Sequence, residues 1–247
     1  MGYTYVIADI HGCAAEYFAL LEKIGFSLAD ELIVLGDAMD RGPEPMKVIQ
    51  DLMQRENVLY ILGNHDAMFL EVIRRLMVEI KEETVNALTG DDLLAYCDYI
   101  QNGGEETLRQ FCRLSPGQKA DLLDYLETSP VYETIDHDGN LYVLTHAGID
   151  HFDPKKELDE YAPEDFLWVR PDYARKYFPG NRIFLVTGHT PTPLIRDDKR
   201  PLVYTENNHI AIDCGCVFGG RLAAYCIETG EVTYVDSRKG VHSFGTA

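Results

Sequence analysis

The stretch Leu32-Ile33-Val34-Leu35-Gly36-Asp37-Ala38-Met39-Asp40-Arg41-Gly42-Pro43 decides how this chain is read. Its first half is a short apolar run of buried-strand type, and its second half is a polar turn closed by glycine and proline. Two aspartates and an arginine between glycines at a strand-to-helix turn have no evident packing role. Pro43 to Glu56 then opens with prolines and carries Met46, Ile49 and Met53 at helical spacing. The same grammar holds on either side. Upstream, Tyr5-Val6-Ile7-Ala8 stops at Asp9, with His11 two positions on, and Ala14 to Ile24 carries Phe18, Leu21 and Ile24. Downstream, Leu59-Tyr60-Ile61-Leu62-Gly63 stops at Asn64, followed by His65 and Asp66. Alternating strand and helix over the first sixty-odd residues predicts parallel pairing and an α/β fold.

Two further runs end the same way. Leu141-Tyr142-Val143-Leu144-Thr145 stops at His146, and Ile183-Phe184-Leu185-Val186-Thr187-Gly188 stops at His189. Ligands of α/β sheets collect just beyond the carboxyl ends of the strands. Five strand ends delivering Asp9, His11, Asp37, Asn64, His146 and His189 to one rim therefore predict a dinuclear metal centre. The donors are oxygen and imidazole nitrogen without thiolate, a set suited to Mn²⁺, Fe or Zn²⁺ rather than Ca²⁺ or Mg²⁺. Two carboxylates, Asp9 and Asp37, facing two divalent ions leave a formal surplus of about +2, which attracts phosphate.

Composition limits the alternatives. The chain has 247 residues, a net charge of −19 and a 46% hydrophobic share, with a mean hydropathy of −0.18. This is one sizeable domain of an ordinary globular protein, expected to span residues 1–247. The acidic balance opposes a nucleic-acid surface. No run of about 18 apolar residues predicts a membrane span. The first residues lack the basic-then-apolar shape of a secretory signal, so a cytoplasmic protein with reduced thiols is expected. Cys214 and Cys216 lack a second pair and are read as buried thiols rather than a metal or redox site. His137, His151, His209 and His242 have no motif around them and are read as surface or core histidines.

From about Ala67 to Leu126 the pattern is helical, interrupted at Gly90 and Gly103-Gly104. It fits either a lid over the active-site rim or a helical layer packed on the sheet. After Ser129-Pro130 the pattern turns to strands. Val131 to Ile135 and Asn140 to Leu144 form a hairpin around Asp138-Gly139, and Leu222 to Ile227 and Val232 to Val235 another around Thr229-Gly230. A second sheet is expected there.

In order and context these motifs resemble those of the calcineurin-like metallophosphoesterases. The resemblance runs from Asp9 to Ile212-Asp213-Cys214-Gly215 and is nearest the bacterial and phage phosphoprotein phosphatases and the symmetrical diadenosine tetraphosphate hydrolases. It implies a β-sandwich of two mixed sheets flanked by helices. It also implies that Asp9 and His11 hold one metal, that Asn64, His146 and His189 hold the other, and that Asp37 bridges them. Pro191 stands where the wider superfamily has a second histidine, which leaves the first metal with fewer protein ligands. The two cations, most simply Mn²⁺, would activate a hydroxide for in-line attack. Arg41 and Arg170 would clamp the phosphate together with Asn64 and His65. His65, oriented by Asp40, would protonate the leaving group, while Asp66 either supports that ring or caps the following helix.

Asp40 also bears on the substrate. An alkoxide leaving from phosphoserine needs a proton, whereas a departing nucleotide phosphate does not, and the symmetrical hydrolases generally lack this aspartate. The expectation is a serine/threonine protein phosphatase acting on a phosphoprotein or small phosphoester. A symmetrical dinucleoside tetraphosphate hydrolase is the alternative, and an inactive phosphate-binding module the remote one.

Overall fold

The computed structural model describes residues 2–76 and 89–239. Three strands, β1 (Thr4–Ile7), β2 (Glu31–Leu35) and β3 (Val58–Ile61), alternate with α1 (Ala14–Ile24) and α2 (Pro45–Met53). They pair in parallel, as the alternation predicts. Next come α3 (Asn64–Leu76), α4 (Gly90–Gln101), α5 (Glu105–Phe111) and α6 (Pro116–Thr128). Strands β4 (Tyr132–His137), β5 (Asn140–Thr145), β6 (Ile183–Thr187) and β7 (His209–Ala211) follow, with the short α7 (Thr192–Ile195) between the last two. The chain then returns through β8 (Arg221–Cys226) and β9 (Val232–Asp236) to the first sheet.

The sheet orders are β3-β2-β1-β8-β9 and β4-β5-β6-β7. Each is mixed: β8 and β9 run antiparallel on the first sheet, and β4 antiparallel on the second. The β4–β5 hairpin turns at Asp138 and Gly139, both with positive φ (51° and 71°), the backbone of a two-residue turn matched to strand twist.

Side chains alternate across a strand, so a strand buried on both faces reads as an unbroken apolar run. Val6, Ile33 and Leu35 pack between the sheets with Leu144, Val186 and Ile212. Their neighbours Ile7, Leu32 and Val34 pack on the helix side with Tyr17, Leu20 and Phe69. Cys214 and Cys216 follow the same alternation, each a buried free thiol in a different cluster.

The helical segment expected over 67–126 begins with α3 at Asn64, and its residues 77–88 lie outside the described region. Tyr99, Phe111, Leu122 and Leu126 of α4 to α6 are buried in the helix-side core. These helices therefore form a packed layer, and they reach the site from that layer.

Among the motif-free histidines, His151 is exposed, His137 is half-buried and His242 lies outside the described residues. His209 is 1% exposed. Its Nε2 meets Thr187 Oγ1 at 2.8 Å and its ring stacks on Tyr173 at 4.7 Å. Burial pushes its imidazole down from the ordinary 6.5 to about 3. Between those values the unfolded chain binds a proton that the folded chain refuses. The folded state is thus unpenalised above pH 6.5 and loses stability as pH falls below it. From pH 6.5 to 5 the loss is about 2 kcal/mol, at about 1.36 kcal/mol per unit. Urea unfolding at pH 7 and pH 5 is expected to show a pH-dependent loss smaller by that amount in His209→Phe. Equal losses in the two proteins would contradict it.

Candidate metal centre

The six expected ligands gather at the carboxyl ends of β1, β2, β3, β5 and β6. Asp9 and Asp37 lie two residues past β1 and β2, His146 directly after β5, and His189 two past β6. Asn64 is the first residue of α3. All six are buried or nearly so. The chain is bent hard to present them: Asp9, His11, Asp37, Asp40, Arg41 and His189 all have φ between 45° and 65°. Left-handed backbone costs a non-glycine residue about 1–3 kcal/mol and persists only where the surroundings over-determine it.

Hydrogen bonds between the strand-end loops supply that constraint. His11 and Gly12 donate to the carbonyls of Asp37 and Ala38, both at 2.8 Å. Gly188 donates to the His146 carbonyl at 2.8 Å, and the His189 N–H donates to Asp9 Oδ2 at 2.9 Å. Glycine is required at Gly63, where a Cβ would strike the Asp37 carboxylate.

Two imidazoles are fixed in one orientation. His146 Nδ1 donates to the Leu35 carbonyl at 2.7 Å, and His11 Nδ1 to the Met39 carbonyl at 2.8 Å. Both rings therefore turn Nε2 inward, the usual arrangement of a metal-binding histidine. Each Nε2 lies 3.6 Å from Asp37 Oδ2. Asn64 Oδ1 meets His146 Nε2 at 2.8 Å and His189 Nδ1 at 3.0 Å. The geometry thus assembles Asn64, His146 and His189 into one group.

Among the described residues, two clusters have donor atoms within 4.8 Å of one another: His11, Asp37 and His65, and Asp9, Asp37 and His146. Asp37 belongs to both, the position a bridging carboxylate needs. Asp9 falls with His146 rather than with His11, because its carboxylate is drawn to the His189 N–H.

Electrostatics suit cations. Burial would raise the Asp37 carboxyl, but His146, His65 and His11 around it hold it below its ordinary value. Burial lowers His11 and His146, and lowers His189 to about 3, a bias toward the neutral imidazole whose lone pair a cation needs. Burial, then Asp213 and Asp37, raise the Asp9 carboxyl. Buried carboxylates crowded around neutral imidazoles fit divalent cations: Asp9, His11, Asp37, Asn64, His146 and His189 are able to hold them.

His65 Nδ1 pairs with Asp40 Oδ2 at 2.8 Å, both groups fully buried. Asp66 settles between its two expected roles. Its Oδ2 accepts from Gly63 N at 2.9 Å, Asp37 N at 3.1 Å and Tyr60 Oη at 2.6 Å. It caps α3 and pins the Asp37 loop, and it makes no hydrogen bond to the His65 ring. Arg41 donates from one guanidinium nitrogen to His11 Nε2 at 2.7 Å. Arg170 is exposed, and its charge acts on His189.

Three residues escape the sequence reading. Tyr99 Oη and Thr107 Oγ1, from α4 and α5, donate to Asp40 Oδ1 at 2.5 and 2.6 Å. Nothing local marks them, since a tyrosine and a threonine on a helix read as packing. Asp213 lies buried two residues past β7, and burial raises its carboxyl to about 6. The short run before it, His209 to Ile212, is a sixth strand end that carries a carboxylate. That signal was available in the sequence.

Residues 3–235 match the family model of the calcineurin-like phosphoesterases, and the chain belongs to that family. It is a metal-dependent phosphoester hydrolase. Among its relatives, it is 29% identical to the asymmetrical bis(5'-nucleosyl)-tetraphosphatase PrpE of Bacillus velezensis, over 94% of this chain and 92% of the relative. The PrpE of Anoxybacillus flavithermus is 30% identical, over 89% and 88%. The symmetrical bis(5'-nucleosyl)-tetraphosphatase of Baumannia cicadellinicola is 26% identical, over 96% and 93%. In fold, the chain resembles a protein serine/threonine phosphatase of Saccharomyces cerevisiae at a TM-score of 0.57 and 14% identity, covering 98% of this chain and 81% of that one. No helix among the described residues is long and apolar enough to cross a membrane.

Proposed function

We propose that this chain hydrolyses dinucleoside tetraphosphates asymmetrically, releasing a nucleoside triphosphate and a nucleoside monophosphate. The observation that supports this best is similarity over nearly the whole length of the chain to enzymes named for that reaction. The expectation of a phosphoprotein substrate rested on the resemblance to the phosphoprotein phosphatases, with Asp40 tilting the choice. A general acid extends an enzyme to poor leaving groups but does not exclude good ones, so Asp40 weighs less than similarity over the whole chain.

In this reading Asp37, common to both donor clusters, would help to hold two divalent cations, Mn²⁺ being the expected pair. Asn64, His146 and His189 would hold one of them and His11 would serve the other, while Asp9, expected beside His11, shares a cluster with Asp37 and His146. When bound, such cations polarise a phosphoryl oxygen and lower the pKa of a water. The protein's own groups do the rest. Arg41 and Arg170 fork onto phosphoryl oxygens and orient the chain of phosphates. Asn64 and His65 line the same position. His65 holds a proton at Nε2 for the departing oxygen while Asp40 fixes the ring from Nδ1.

The test is product analysis with Mn²⁺ supplied. Diadenosine tetraphosphate is expected to yield ATP and AMP in equal amounts. Two ADP would indicate symmetrical cleavage, and no turnover would overturn the assignment. A second reading, hydrolysis of phosphomonoesters including phosphoproteins, is favoured by the 2.8 Å Asp40–His65 pair. A phosphoserine peptide assayed alongside decides how much of the activity it accounts for.

A further inference from the structure

We infer that Tyr99 and Thr107, carried to the site by the corner between α4 and α5, are positioning residues that hold Asp40 behind the His65 ring. This rests on the acid role proposed for His65 and adds what keeps that acid in place.

A carboxylate can turn about its Cβ–Cγ bond, and an imidazole bonded to it follows. Asp40 is denied that freedom. Its Oδ1 accepts from Tyr99 Oη at 2.5 Å and from Thr107 Oγ1 at 2.6 Å, which directs Oδ2 to the His65 Nδ1–H at 2.8 Å. Turning the carboxylate would break every one of these bonds. Asp40, His65, Tyr99 and Thr107 are all 0–1% exposed, so solvent does not readily replace a lost partner.

Packing alone does not require either hydroxyl. Tyr99 lies in the helix-side core with its ring 6.3 Å from that of Phe69. A phenylalanine would fill that place without the cost of burying a hydroxyl. Thr107 has the shape of a valine, yet its hydroxyl works in both directions. Besides donating to Oδ1, it accepts the Asp40 N–H at 3.0 Å. One threonine thus holds both the backbone and the side chain of Asp40.

The backbone there needs holding. Asp40 and Arg41 are consecutive residues with left-handed φ, 65° and 63°, a conformation that persists only where its surroundings over-determine it. The α4–α5 corner supplies that constraint. The Arg41 N–H donates to the Gly103 carbonyl at 2.9 Å, and a Cβ on Gly103 would come within 2.7 Å of Arg41 Cγ. The Gly104 N–H donates to the Tyr99 carbonyl at 3.0 Å, and a Cβ on Gly104 would strike the Tyr99 ring. Two adjacent glycines therefore let the corner lie directly on the Asp40-Arg41 turn. From that turn the Arg41 guanidinium reaches His11 Nε2 at 2.7 Å and lies 5.4 Å from the centroid of the Phe218 ring.

The first test reads the His65 Nδ1–H itself, by NMR of Zn²⁺-loaded protein labelled with ¹⁵N-histidine. His65→Gln identifies the resonance by its loss. In the wild type this proton is expected to exchange slowly with water. Tyr99→Phe and Thr107→Val are each expected to speed its exchange about 10-fold, the scale of one hydrogen bond. The Nδ1–H groups of His11 and His146, which donate to backbone carbonyls, should exchange as before, and Thr107→Ser should restore the wild-type rate. The second test compares two esters that differ in leaving group. Tyr99→Phe and Thr107→Val are expected to slow phenyl phosphate about 10-fold and 4-nitrophenyl phosphate by less than about 3-fold.

A wild-type Nδ1–H that exchanges freely, or one whose rate the variants leave alone, overturns the inference. Rates that rise alike for all three histidines would show a loosened fold rather than positioning, and overturn it as well. Equal losses on the two esters also overturn it. If Asp40→Asn still discriminates between them, the acid role of His65 stands without these two residues; if it does not, that role falls too. The wild-type exchange rate needs neither a variant nor a substrate, so it decides even if a variant fails to fold.

Discussion

Asp37→Asn is expected to lower kcat/KM by at least about 10³-fold and to leave the purified protein with less than one metal ion per chain. Asp37 is the carboxylate common to both donor clusters, with an imidazole Nε2 3.6 Å away on either side. Its neighbours hold it anionic against the pull of burial. Asparagine keeps the shape and can still accept the His65 N–H that now meets Oδ1 at 3.0 Å. The fold should therefore survive, and the loss isolates charge. With Asp37 neutral, two divalent cations would face Asp9, whose carboxyl burial raises, and the mutual repulsion of the cations would go unscreened. Elemental analysis beside the rate measurement is the check. A variant that keeps two ions and near-normal turnover would show that Asp37 does not bridge.

Asp40→Asn should act differently, with losses that depend on the leaving group. The carboxylate takes two hydroxyl donors on Oδ1, Tyr99 and Thr107, and the His65 ring on Oδ2. An asparagine can keep its oxygen toward His65 and turn its amide to the two hydroxyls, which rotate to accept. Ring orientation then survives while the negative charge behind the imidazole is lost. A serine phosphate, whose alkoxide must be protonated, is expected to slow by about 10²-fold or more. An activated aryl phosphate should slow only a few-fold. Diadenosine tetraphosphate should follow the aryl ester, since a nucleotide leaves as a stable anion. Equal losses on all three would remove His65 and Asp40 from the role of acid and make them structural.

Local pattern carried much of the molecule. The runs around Val6, Ile33 and Val186 read as strands because both their faces are apolar, and the polar residue ending each run is where burial stops. That logic placed five strand ends and their donors, and the Asp138-Gly139 turn likewise marked its hairpin. The helical segment was legible as helix but not as to its place. Its contribution to the site is two hydroxyls, from Tyr99 and Thr107, that reach Asp40 across 59 and 67 residues. No periodicity encodes such a pairing. Asp213 was missed for the opposite reason: it follows the same strand-end rule as the other donors, but the strand before it has only three residues and is easily passed over.

The amino-acid order alone determined that the chain builds an α/β frame and carries its reactive side chains just past the strands, since burial and backbone pairing act over a few neighbouring residues. Only the tertiary structure decided which donors share a cluster, that Asp66 caps α3 rather than bracing His65, and that Arg41 reaches both His11 and Phe218. Those outcomes depend on how far apart loops from distant strands come to rest, and packing of the two sheets and the helical layer sets that spacing.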